Sequence, residues 1–216
     1  MIKILYEDNH LIAVEKRIGQ TVQPEPGKPE SLQDEVKRYI KIKEEKPGEV
    51  YLGVIHRIDM PVSGLVLFAK SSKALTRMNE IFQKREVDKH YIVKVHNTPK
   101  MEEGVLTHWL RIDENKNITR AFDEEVTKAI KAQLEFKVLK VQGKFSWLKV
   151  KLLTGRKHQI RAQLAYIGCS IVGDVKYGAA QPNANQGICL HSFSLSFVHP
   201  VKKEPILIET PMPYFW

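Results

Sequence analysis

A carboxylate, Asp59, stands in VIHRIDMPVSGLVLFAKS (residues 54–71), between the pair His56-Arg57 and the turn formers Met60-Pro61. Side chains at 57 and 59 are two apart, so in extended chain they share a face. Pro61 and Gly64 then turn the chain and present Asp59 at a loop tip. Loops carried by a rigid sheet are common places for reacting groups, and a carboxylate there serves as a nucleophile or a proton acceptor. Taken alone, HRxD reads more simply as an exposed Arg–Asp contact of small energetic worth.

The second such stretch is LLTGRKHQIRAQLAYIGCSIVGDVKYG (residues 152–178). A strand enters a Thr-Gly turn, and the pattern predicts a helix opening with Arg156, Lys157 and His158, with the stem of Arg161 on the same surface as His158. The positive end of a helix and its free N–H groups favour an anion. Cations in a first turn oppose that dipole, so a phosphate or a neighbouring carboxylate is expected to compensate them; a solvated basic face is the plainer alternative. In KHYIVKV (residues 89–95), Tyr91 reads first as a core aromatic, with Lys89 and His90 as its polar neighbours. LHSFSLSFVHP (residues 190–200) alternates as a strand, with Leu190, Leu195 and Phe197 inward.

The elements that must position these residues follow from periodicity and punctuation. Residues 2–6 and 11–16 read as strands around the turn at 7–9. QPEPGKPE (residues 23–30) is a loop, after which Ser31 caps a helix with Leu32, Val36, Tyr39 and Ile40 inward. Residues 51–55 and 64–69 read as strands flanking the Asp59 turn. Ser71 or Ser72 opens a helix to about residue 84 that buries Leu75, Met78, Ile81 and Phe82. Further strands are expected at 90–95, 104–111, 129–140, 145–153, 188–198 and 205–209, with 113–125 as a polar turn region. The helix after Thr154 turns Ile160, Leu164 and Ile167 inward and ends at Gly168. Strands come in runs rather than in strict alternation with helices, which argues for an α+β fold on a mixed, mostly antiparallel sheet.

The chain has 216 residues, enough for one large domain or two small ones. Its 34 Lys and Arg against 25 Asp and Glu leave a net charge of +9, which fits either a partner of polyanions, bound through counterion release, or a merely basic housekeeping protein. Charges appear within a few residues of Met1, which argues against a signal peptide or spanning helix and for a cytoplasmic protein with no membrane partner. With no export signal, Cys169 and Cys189 are expected as two buried thiols. There is no CxxC, no HExxH and no ligand spacing among the eight histidines, so no metal site is expected. A hydrolase using Asp59 with His56 or His158 would lack a nucleophile elbow, a metal site or a second nearby carboxylate.

In this order, the four stretches resemble the RluA-type pseudouridine synthases over nearly the whole chain. IKILYEDNHLIAVEKRIGQTVQP is similar to the opening strand pair and its Lys-Pro-x-Gly turn, and HRIDMPVSGLVLFAKS to the signature HRLDxxTSGLLLFAK. KHYIVKV resembles the K-x-Y segment, LLTGRKHQIR the TGRxHQIR segment, and IVGDVKYG with LHSFSLSFVHP the closing segments. The resemblance implies a long mixed sheet with helices and loops around a central catalytic cleft, and cofactor-free isomerisation of uridine to pseudouridine within an RNA chain. Asp59 matches the catalytic aspartate, Arg161 the active-site arginine expected to pair with it, and Tyr91 the tyrosine that packs on the target base. Arg57 matches a residue that in relatives can fill the space of the displaced base. His56, Arg156, Lys157, His158 and Leu190 complete the expected substrate contacts, and Lys84 and Arg85 are candidate surface contacts. Arg17 stands where the family usually has Pro, Val62 where Thr is common, Ile58 for Leu, and Ser170 for the Pro after Gly168-Cys169. A single catalytic domain over 1–216 without an S4 domain is expected, acting as a monomer on ribosomal RNA or tRNA and not on DNA. The alternative is a non-catalytic RNA-binding protein on the same scaffold.

Overall fold

The computed structural model describes residues 2–213 and 216. Its strands pair in a mixed, mostly antiparallel arrangement with three α-helices, and the chain divides into two compact units. One is built from the chain up to Asp88 together with Ser192–Met212, the other from Lys89–His191.

In the first unit, β1 (Lys3–Glu7), β2 (Leu11–Lys16), β4 (Ser63–Ala69) and β10 (Leu190–Val198) lie side by side. β3 (Gly53–Val54) adds to β4, and β11 (Pro205–Glu209) to β10. Every residue of β4 is buried, which accounts for its unbroken GLVLFA run: a strand covered on both faces loses the alternation of a half-exposed one. Helix α1 (Leu32–Lys43) starts where predicted. Ser31 accepts from the Asp34 N–H while the Asp34 carboxylate reaches back to Ser31, and Leu32, Val36 and Ile40 face inward. Ser71 caps α2 (Ser72–Gln83) through the Ala74 N–H, and this helix sets Ala74 and Met78 against a core of Leu65, Leu67, Leu195 and Phe197. The strand expected at 51–55 shortens to Gly53–Val54.

In the second unit the order is β5 (Val87–His96), β9 (Phe145–Leu152), β8 (Ile130–Gln142), β6 (Glu103–Asp113) and β7 (Ile118–Phe122). β7 falls inside the region expected to be a polar turn. Its ITRAF alternation is too short to stand out, and pairing with β6 from Trp109↔Phe122 to Asp113↔Ile118 makes it a strand. Helix α3 spans Gln159–Tyr166, so Arg156, Lys157 and His158 precede it rather than forming its first turn. The delay has a local cause. Gln159 Oε1 accepts from the Arg156 N–H at 3.0 Å and the Thr154 hydroxyl at 2.9 Å, closing a turn that holds His158 in the left-handed region at φ 53°. Gly168, at φ 78°, ends the helix as expected. Ile160 and Leu164 are buried, but so are Gln159, Arg161 and Gln163. Each has polar partners; Gln163 Nε2, for example, lies 3.0 Å from His108 Nδ1 and 3.3 Å from the Leu106 carbonyl. Both cysteines are buried free thiols, as the sequence implied.

Candidate functional site

Asp59 opens a turn closed by the Val62 N–H donating to the Asp59 carbonyl at 3.0 Å. Ile58 and Val62 are buried on either side, so both shoulders of the turn are anchored while Asp59 itself stays half-buried. The turn is also held from outside. The Met60 carbonyl accepts the Gly19 N–H at 2.9 Å and the Lys16 ammonium at 3.1 Å. Lys16 ends β2, is 0% exposed, and gives its other two protons to the Arg17 and Gln20 carbonyls at 2.9 and 2.8 Å. Burial pushes this ammonium down to about 7, and the charge of Asp59 opposes the shift. Motif and periodicity alone give Lys16 no role; the signal that could have found it is a lone lysine closing an apolar strand at the KRIG turn.

Gly64 allows the chain to leave this turn and enter the sheet. It has φ 114°, and a Cβ there would strike the backbone of Ser192, whose hydroxyl donates to the Leu65 carbonyl at 3.0 Å. Arg57 is exposed and donates to Gln23 Oε1 at 3.2 Å. His56 supports the fold directly, since its Nε2 accepts the Leu67 N–H at 3.1 Å and its ring stacks on Phe82 at 5.6 Å. Arg17, in place of the usual proline, reaches Glu35 of α1 at 2.9 Å, so the substituted turn gains a tie to the helix.

In the second unit Arg161 is 5% exposed and held in one orientation. Its Nε donates to Asp174 Oδ2 at 2.7 Å and an Nη to Oδ1 at 2.9 Å, a two-pronged pair that leaves the guanidinium little freedom. The carboxylate on these two nitrogens is therefore Asp174, a residue of the IVGDVKYG segment to which the motif by itself assigns no role. The guanidinium also lies 4.8 Å from the centre of the Tyr177 ring. The Tyr177 oxygen accepts the Thr119 N–H at 2.7 Å and sits 2.8 Å from His158 Nδ1, and burial raises its pKa. Thr119 donates to the Lys157 carbonyl at 2.9 Å, so the unexpected strand β7 braces the turn that carries Arg156, Lys157 and His158. The side chains of Arg156 and Lys157 are exposed. Tyr91, opposite Val150 on β5, is 8% exposed, and Leu190 is buried at the start of β10.

The first unit thus offers a partly exposed carboxylate on a pinned turn, and the second an oriented guanidinium and a buried phenol. A carboxylate can act as a nucleophile or a proton acceptor, a phenol can pass on a proton, and a guanidinium offers fixed positive charge. The family profile described as RNA pseudouridylate synthase matches residues 10–166, a span that includes Asp59, Tyr91 and Arg161. The chain belongs to the RNA pseudouridylate synthase family. Among its relatives in this family, tRNA pseudouridine synthase C of Haemophilus influenzae is 31% identical over 100% of this chain and 95% of its own length. Ribosomal large subunit pseudouridine synthase C of Buchnera aphidicola is 29% identical, covering 98% of this chain and 67% of that protein. The fold is shared with human RNA pseudouridylate synthase domain containing 4, with a TM-score of 0.81 at 21% identity, over 99% of this chain and 89% of that one.

Proposed function

We propose that this enzyme isomerises uridine to pseudouridine at defined positions of ribosomal RNA or tRNA, with Asp59 as the reacting group. The observation that carries the proposal is the Asp59 turn itself: the residue matching the family's aspartate is partly exposed on a loop fixed by two buried shoulders and two hydrogen bonds to Met60. Names among the relatives, one for tRNA and one for the large ribosomal subunit, support both RNA classes.

The reaction needs the target base unstacked, at a cost of a few kcal/mol. Asp59 then either attacks C1′ as the uracil leaves through N1, or removes the C2′ proton to give a glycal. The freed uracil turns and C5 bonds to C1′, displacing the Asp59 carboxylate on the covalent route or, on the glycal route, as the proton held by Asp59 returns to C2′; the C5 proton then passes to a base. Tyr91 packs on the uracil ring; with a phenol pKa near 10 it is suited to relaying the proton rather than to removing it unaided. Arg161, fixed by Asp174, supplies positive charge, and Arg57, Arg156, Lys157 and His158 contact the RNA. RNA carrying tritium at uridine C5, prepared from cells lacking this gene, tests the reading. The wild type releases tritium to water and Asp59→Ala does not. Absence of release by the wild type from both ribosomal RNA and tRNA refutes it.

A further inference from the structure

The face of the second unit turned away from α3 carries a row of aromatic rings under cations. β9 points Ser146, Leu148 and Val150 inward, which leaves Phe145, Trp147 and Lys149 on the other side. Strand pairing sets Lys94 of β5 directly across from Trp147, and its ammonium lies 4.7 Å from the Trp147 ring centre and 4.8 Å from that of Phe145. From the opposite flank, Lys140 of β8 reaches Trp147 at 5.3 Å. Lys140 would face inward in a regular strand. A bulge between Val138 and Lys140 shifts the register so that Lys140 pairs with Trp147 and joins the outer face. Lys144, in the hairpin, lies 5.6 Å from the Phe145 ring.

The same face continues across β6, where Lys131 lies 5.8 Å from the Trp109 ring and Arg111 5.0 Å from Phe122. Both rings of the main cluster are half-buried, so each keeps an accessible surface. Lys137 on this face is paired with Glu103 at 3.0 Å, whereas Lys94, Lys140, Lys144 and Lys149 have no carboxylate partner among the described residues. Burial holds the His96 imidazole below its usual range, and the charges of Lys144 and Lys94 add to the shift.

Alternating rings and unneutralised ammonium groups on an open sheet are what single-stranded nucleic acid requires, because bases stack on the rings and phosphates take the cations. We infer that the outer face formed by Phe145, Trp147, Lys94, Lys140 and Lys144 is a second RNA-binding surface, a sequence-tolerant stacking platform for a single-stranded segment of the substrate. The inference rests on RNA being the substrate, but not on Asp59 chemistry. On binding, a base takes the position above Trp147 or Phe145, and the displaced ammonium moves to a phosphate.

The probe is oligoadenylate, which contains no uridine and so cannot be a substrate. It should bind the wild-type chain and Asp59→Ala alike, and ultraviolet crosslinking should attach it to peptides containing Phe145 or Trp147. Lys140→Glu/Lys144→Glu, both at exposed positions, should weaken binding by tenfold or more. It should also lower the slope of log affinity against log salt by about 1.4, from about 0.7 for each of two lost phosphate contacts on a single strand. Trp147→Leu, with circular dichroism to confirm folding, should lose the crosslink at that peptide. Unchanged affinity and salt slope in the lysine variant, or crosslinks confined to other peptides, overturn the inference. Because the readout is binding of a non-substrate, failure here leaves tritium release intact, and failure of the isomerase reading shows up only in tritium release.

Discussion

Replacing Lys16 by Met probes the device that holds Asp59. The wild-type ammonium is fully buried and satisfied by three carbonyls, those of Arg17, Gln20 and Met60. Burial nevertheless lowers its pKa from 10.5 to about 7. In the unfolded chain the group keeps its ordinary value, so between pH 7 and about 10.5 the unfolded state binds a proton that the folded state has released. Stability from this group therefore rises with pH across that window, by about 1.4 kcal/mol per pH unit. Below pH 7 both states are protonated and the contribution is flat. The difference in unfolding free energy between wild type and Lys16→Met should thus move in favour of the wild type by about 2 kcal/mol from pH 7 to pH 9, the folded-state group being half protonated at pH 7 and other titrations cancelling in the comparison. Urea denaturation of the two proteins at pH 6, 7, 8 and 9 measures it. A second readout is turnover. Met60 loses one of the two donors that pin its carbonyl next to Asp59, and a misplacement of about 1 Å at a reacting group costs about 10²-fold in rate. Parallel stabilities across the whole pH range, together with unimpaired tritium release by Lys16→Met, would refute the reasoning.

Two further substitutions test the remaining supports. Asp174→Ala leaves the buried Arg161 guanidinium without its two-pronged partner and should cost about 3–5 kcal/mol of stability in urea, with turnover reduced as Arg161 loses its orientation; a cost below about 1 kcal/mol would show that Arg161 is satisfied without it. Gly64→Ala places a methyl group against the backbone of Ser192 at a φ of 114° and should destabilise by roughly 2 kcal/mol or more, read as a lower denaturation midpoint, while a wild-type midpoint would mean that β4 and β10 yield there.

Much of this architecture is legible locally. Ser31, and Ser71 or Ser72, announce both longer helices because a hydroxyl before an apolar 3.6-residue period satisfies the first N–H groups; Ser31 and Ser71 serve as the caps in the structure. Pro61 and Gly64 mark the turn that carries Asp59. The departures are also instructive. Arg156 to His158 read as helical because nothing in the local pattern reveals that the Gln159 side chain folds back to close a turn before the helix. ITRAF reads as turn because its five residues become a strand only against β6.

The sequence by itself determined the family, singled out Asp59 as the candidate reacting group and marked most of the elements, since periodicity, caps, turn formers and collinear motifs are properties of neighbouring residues. Tertiary structure alone decided the partners. Lys16 meets the Met60 carbonyl 44 residues away, Arg161 finds Asp174 rather than solvent, and a bulge in β8 swings Lys140 over Trp147. Whether a charge is a solvated ornament or a buried clamp depends on which strands pair beside it. Burial and hydrogen bonding set its energy, and both come from residues distant in the chain.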